Sequence, residues 1–354
     1  VPPPSRLSSL AIPALLAAVA LAAVPTWELW REKWELERIL EGGEGSFEIY
    51  GCIGMLGADE WPLAAIRDDL SRVVETAESW AVPALAVFLG LLAYVRGKDP
   101  QVVGRRVAGL LVLTAVAEPL IPLYSEPGGC GGTVPLLSAD WFGRVLGNWG
   151  ANQLCLLPAA ALVYAASRTR RRAAEPGVAA TGAAWRRPVA AFIDYVIVVV
   201  ALRVVVEPAW ALIGSHYLWF PWFHQGLLGR LDEVFESTVK PGEVLALTSW
   251  LLYFWLQHTV WGRTPGKWLL RLRLVNVRTG GRLGAGRAAL RTLAFPFLAV
   301  VPDVGLVLLF AGGLAALFDA DGQVLHDRLL GAAVVRHRPR RFDTEGDRHV
   351  TDLA

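Results

Sequence analysis

The stretch RRPVAAFIDYVIVVVALRVVVEP, residues 186–208, is apolar enough to be read as a membrane-crossing helix, yet Asp194, Arg203 and Glu207 interrupt it. A charge near the bilayer centre costs about 3 kcal/mol on insertion scales, so such a group is expected to face protein or water. Helical phase sorts these charges into two problems. Arg187 and Asp194 are separated by nearly two full turns and project from almost the same face, roughly 10 Å apart along the axis. Arg203 and Glu207 have i, i+4 spacing near the other end and are expected to form an outer ion pair. Asp194 is too short to reach the interface as Lys or Arg would, so it needs a partner or a wet cavity. A wet cavity suits proton-coupled transport, whereas a permanent partner suits assembly.

Working outward, the chain has 354 residues, 54% of them hydrophobic, and a formal net charge of +2. That is too apolar for an ordinary soluble protein of this length. Further apolar runs lie at about 7–26, 80–95, 107–124, 148–166, 245–262 and 288–318, against the roughly 20 helical residues a bilayer requires. The connecting segments alternate in charge. Segments 96–106, 168–187 and 263–291 are basic, the last with no Asp or Glu, whereas 28–79 and 214–244 are Glu-rich or mixed. Positive-inside asymmetry puts the three basic segments and both termini in the cytoplasm. Lys occurs only at Lys33, Lys98, Lys240 and Lys267 while Arg and Ala abound, a bias expected of a GC-rich bacterial genome. The bilayer is therefore the first partner, in a bacterial plasma membrane, and nucleic acid is not expected. The fold class expected is an all-α polytopic membrane protein of about seven or eight transmembrane helices, with a short β-hairpin-like inner loop in its C-terminal half.

The first run reads as an uncleaved anchor, with a cleaved signal peptide as the alternative, because Trp27, Trp30 and Trp34 follow it like an interfacial belt. The last run starts and ends beside basic segments, and ValProAspValGly at 301–305 breaks it. Two short helices in a hairpin are expected there, one long tilted helix being the alternative. The Arg-rich, then Ala/Gly/Pro-rich stretch 168–185 reads as a cytoplasmic linker. It divides a four-span region, 1–167, from a second membrane unit, 186–336, which a polar tail, 337–354, follows. No internal repeat relates the two halves. Cys52 and Cys130 fall in outer loops, either bridged or as two unpaired thiols, and Cys155 falls in a span as an apolar filler. There is no CxxC or Cys/His cluster, so no metal site is expected.

Residues 261–291, WGRTPGKWLLRLRLVNVRTGGRLGAGRAALR, combine a basic surface with Leu272, Leu274 and Val277 before Thr279-Gly280-Gly281. A short strand pair or turn is expected there. GRTPGK lacks the GxxxxGK[ST] spacing of a phosphate loop, so anchoring to lipid headgroups is the plainer role. His216 and His224 stand in an aromatic belt. Glu118-Pro119 is either a kinked intramembrane carboxylate or an outer-interface residue. The Glu-rich segment 28–79 reads as a solvated amphipathic cap. No nucleophile, base and orienter stand together, so neither catalysis nor a cofactor is expected.

Arg187 and Asp194 opening a span, GRTPGKWLLRLRLVNVRTGGRL between spans, Arg291 at the next entry and DADGQVLHDRLLGAAVV at 319–335 together resemble the RDD family of bacterial membrane proteins. The family's one arginine and two aspartates correspond to Arg187, Asp194 and Asp327. Arg271 stands where the family commonly has glycine, and the GlyAlaAlaVal end replaces a more usual glycine-threonine. The resemblance implies transport of an unidentified ligand, some members being associated with cation/proton exchange. Together with the topology it predicts one cluster of Arg187, Asp194, Lys267, Arg291 and Asp327. Two functions compete: movement of a small solute or cation past Asp194, or a non-transporting scaffold or accessory subunit, with a protein partner or as a homo-oligomer, in which these residues are structural.

Overall fold

The apolar runs form helices, and the structure, a computed structural model, describes residues 10–41, 62–120, 138–168, 186–201, 204, 241–300, 304–319 and 323–336. The N-terminal region holds α1 (Ala11–Glu41), α2 (Pro62–Ser79), α3 (Val82–Val95), α4 (Pro100–Leu120), α5 (Ala139–Gly147) and α6 (Ala151–Ala166). Small residues at helical spacing let these helices approach closely. Ala18 and Ala22 of α1, Ala86 and Val87 of α3, Val107, Leu111 and Ala115 of α4, and Leu156, Ala159 and Val163 of α6 form one buried core. Among the described residues, two helices are long and apolar enough to cross a membrane, α1 over Ala11–Ile39 and α4. A third counts if α2 and α3, bent by 52° at their junction, form one span. The break falls at Ala81, whose φ of 52° is left-handed.

The C-terminal region runs α7 (Arg186–Ala201), α8 (Pro241–Leu256) with a π-helical turn (Gln257–Trp261), α9 (Pro265–Leu269), β1 (Leu272–Asn276), α10 (Ala285–Val300), α11 (Val304–Phe318), α12 (Leu325–Leu329) and β2 (Ala332–Arg336). The run at 288–318 is thus two helices. Among the described residues the regions meet through hydrogen bonds and through Leu314, Leu317 and Phe318 of α11, which pack against the N-terminal core. Tyr195 on α7 donates to Asp69 on α2, and Arg106 on α4 donates to the carbonyls of Ala316, Leu317 and Asp319 at the end of α11. A cation satisfies the orphan carbonyls of a helix C-terminus there.

The expected local hairpin is corrected. β1 pairs antiparallel with β2, far along the chain, in the register Leu272↔Arg336 to Asn276↔Ala332. The residues around Gly280 make only a turn that closes on Asn276. The chain after that turn carries Arg282 and Leu283 straight into α10 and supplies no apolar strand. Ala332 and Val334 supply one, and with Leu272 and Leu274 they bury a face against Ala190 of α7 and Ala288 of α10.

The β-ribbon also reveals a duplication. A five-residue helix, one left-handed residue and a strand occur twice: α9, Arg271 (φ 56°) and β1, then α12, Gly331 (φ 62°) and β2. Corresponding residues are 60 apart throughout, as Leu325 is from Pro265 and Ala332 from Leu272. Leu274 pairs with Val334, its own counterpart, so a local two-fold passes through that pair. Lys267 and Asp327 occupy equivalent places in the two units. In a background lacking Cys52, Cys130 and Cys155, the pair Arg273→Cys and Val335→Cys is expected to crosslink under mild oxidation, seen as fragments that stay joined after cleavage between them. A folded chain that does not crosslink contradicts this pairing.

Candidate functional site

Asp194 is only 1% exposed, and its donors come from the segment entering α9. Thr264 donates its hydroxyl to Oδ2, the Gly266 N–H donates to Oδ1 at 2.8 Å, and the Tyr253 hydroxyl lies 3.4 Å from Oδ1. Thr264 is also the N-cap of α9, with Pro265 opening the helix, so Thr-Pro-Gly is a helix-start signal. A carboxylate at a helix N-terminus meets unpaired N–H groups and the positive end of the dipole. Gly266 is required by closeness: a Cβ there would lie 2.2 Å from the Ala190 carbonyl oxygen and 3.0 Å from Asp194. Asp194 thus clips α9 onto α7 at backbone distance.

Asp327 is 0% exposed and has a different environment. Arg291 Nε donates to its Oδ1 at 2.7 Å, Arg187 Nη1 lies 4.0 Å from Oδ2, and His326 Nε2 lies 3.5 Å from Oδ1. Burial alone would push the Asp327 carboxyl up, but Arg291 first, then His326 and Arg187, hold it below the usual carboxylate range. Arg187 also donates to the Val334 carbonyl of β2 at 3.0 Å, and Arg186 to the Leu270 carbonyl at 3.2 Å. The base of α7 is therefore laced to both repeat units.

Lys267 lies on α9, and its Nζ is 2.6 Å from Nε2 of His258, a 2% exposed residue on the π-helical turn. Burial first, then the charge of Arg291, pulls the ammonium down to about 7, against the opposing pull of Asp194 and Asp327. His326 is likewise pushed down by burial, and Asp327 pulls the other way.

The structure thus brings Arg187, Arg291 and Asp327 together and gives Asp194 and Lys267 separate partners. Arg187 and Asp194 share a helix face, as their spacing predicts, and Asp194 takes its hydrogen bonds from the neutral donors at the helix start of Thr264. Arg203, Glu207, Cys52 and Cys130 lie outside the described residues, as do His216 and His224. Cys155 is a half-buried thiol on α6. Thr264, Gly266, Tyr253 and His258 escape a search for charge partners, although Thr-Pro before a basic apolar run is readable as a cap.

The segment holding both carboxylates, from just before α7 to Gly331, coincides with residues 181–331, which match the model of the RDD family. The match lies within the C-terminal half and holds both carboxylates. No curated protein and no solved structure matches the chain. Of the three residues that the resemblance singles out, Arg187 and Asp327 stand 4.0 Å apart and Asp194 is a helix clip. Together with its apolar helices, the RDD domain makes this a membrane protein.

Asp194→Ala strands the Thr264 hydroxyl and the Gly266 N–H, a loss of about 1–3 kcal/mol for each buried group left unpaired. Gly266→Ala drives a methyl into the Ala190 carbonyl. Both variants are expected to melt well below the parent in detergent, with Asp194→Asn between. A Gly266→Ala chain as stable as the parent contradicts the close approach of α7 and α9.

Proposed function

We propose that this chain is a multi-pass bacterial plasma-membrane protein of seven or eight crossings, counting about one per apolar helix, with both termini in the cytoplasm. In this reading the RDD domain is a scaffold, not an ion path. The observation that carries it is the burial of Asp194 with its oxygens occupied by Thr264, Gly266 and Tyr253. A carboxylate that relays ions needs an exchangeable site, whereas this one has neutral donors from a helix it anchors. The basic loops at 96–106, 168–187 and 263–291 support the sidedness. The scaffold presents an Arg-rich inner surface to anionic headgroups or to a protein partner.

A second reading, proton-linked movement of a small solute or cation, draws support from Lys267 and His258. That pair holds an amine drawn down to about 7, within range of physiological proton exchange.

Flux measured in proteoliposomes, normalised to folded protein, separates the readings. The scaffold reading expects Asp194→Asn to lower the folded yield while any cation or proton flux per folded molecule stays at the parent value. An Asp194→Asn chain with the parent's melting temperature and abolished flux overturns it.

A further inference from the structure

The arginines between Trp261 and Ala288, namely Arg263, Arg271, Arg273, Arg278, Arg282 and Arg287, make no ion pair and no side-chain hydrogen bond among the described residues. Their segment has no acid of its own. The nearby aspartates are engaged elsewhere: Asp194 by Thr264 and Gly266, Asp327 by Arg291, and Asp319 by the Gln323 N–H and Arg328. The positive charge of this surface is therefore left for something outside the chain to balance.

Two of these arginines meet at one corner. The π-helical turn after α8 ends at Gly262, whose φ of 65° is left-handed. The Gly262 carbonyl accepts the Leu274 N–H at 2.9 Å, and the Gly281 carbonyl accepts the Asn276 N–H at 2.9 Å. The corner and the turn before α10 are thus both fixed along the edge of β1 that does not pair with β2. Side chains alternate along a strand, so Arg273 stands on the face opposite Leu272 and Leu274. A Cβ on Gly262 would lie 3.8 Å from Nε of Arg273 and 3.7 Å from Cγ of Arg282. Both arginine side chains therefore pass over the same glycine, and Arg263 follows it directly. Like charges gathered in this way repel. An anion among them replaces repulsion with charge-assisted hydrogen bonds, and the guanidinium fork matches phosphate oxygens.

The same corner ends an apolar stripe. Leu252, Leu256 and Val260, four residues apart along α8 and its π-helical turn, are all exposed, as is Trp261 beside Gly262. Residues at this spacing line one helix face, and a Trp at the end of such a face is typical of a membrane interface. We propose that this corner binds one anionic phospholipid, with its phosphate held by Arg273 and Arg282, Arg263 beside them, and its acyl chains along Leu252, Leu256 and Val260. The proposal rests on the sidedness and scaffold reading above and names the partner of the Arg-rich inner surface as a lipid. Charge chooses the lipid class. A zwitterionic headgroup brings its own cation to a corner already crowded with them, whereas phosphatidylglycerol brings none. Free phosphate has no chain to cover the stripe.

Native mass spectrometry of the full chain, taken from mixed micelles of detergent with phosphatidylglycerol or phosphatidylcholine, tests the site. One phosphatidylglycerol is expected to stay on each chain under activation that strips phosphatidylcholine, and inorganic phosphate in large excess is expected not to displace it. The double variant Arg273→Gln, Arg282→Gln is expected to bind phosphatidylglycerol about tenfold more weakly or worse, the loss of a charge-assisted hydrogen bond. Arg96→Gln removes an exposed arginine from another basic segment and is expected to bind as the parent does. If the double variant fails to fold, the parent's choice among the two lipids and free phosphate still decides the matter. The proposal is overturned if no phosphatidylglycerol is retained, if both lipids are retained equally, if inorganic phosphate displaces the lipid, or if a folded double variant loses no more than Arg96→Gln. Lipid retention in detergent involves no flux, so its failure leaves the scaffold reading to be decided separately by Asp194→Asn.

Discussion

A carboxylate buried two turns into an apolar helix persists only where donors meet it, and Asp194 takes two from the start of one short helix. That clip fixes where α9 lies on α7. Once α9 is placed, Arg271 turns the chain into β1, and the apolar face of β1 settles over Ala190 and Ala288. The second unit closes on the first through the β-ribbon and brings Asp327 beside Arg291 and Arg187. The lacing of the inner surface therefore follows from one hydrogen-bonded contact between α7 and α9.

The duplicated unit shows how similar backbone serves different chemistry. Equivalent positions carry Lys267 in the first copy and Asp327 in the second, one against a histidine and the other between arginines. Both charges are kept within the fold because each meets a hydrogen-bonding or ionic partner. Asp194 is sealed by its own donors, whereas Asp327 is held beside Arg291 and Arg187.

Much of this was legible in the sequence. Helical phase put Arg187 and Asp194 on one face, and the sidedness of the basic loops brought Arg187, Arg291 and Asp327 to one surface, where the structure joins them. Asp194's own partners were not legible, because a charge in an apolar helix directs attention to opposite charges. Thr264 and Gly266 act instead through a hydroxyl and a backbone N–H, which composition does not mark. The strand partner of β1 escaped because a hairpin is local whereas β2 is remote. The duplication escaped because, across the short helices and the cap residue after each, only the leucine pairs Leu269/Leu329 and Leu270/Leu330 are shared.

If Asp194 is a clip, its energy is shared with Thr264, and a double-mutant cycle of Asp194→Ala and Thr264→Ala measures that sharing by unfolding in detergent. Residues in direct hydrogen-bond contact couple by about 0.5–3 kcal/mol, so the double variant is expected to be destabilised by clearly less than the sum of the single losses. Strictly additive losses, with each variant folded, contradict the account.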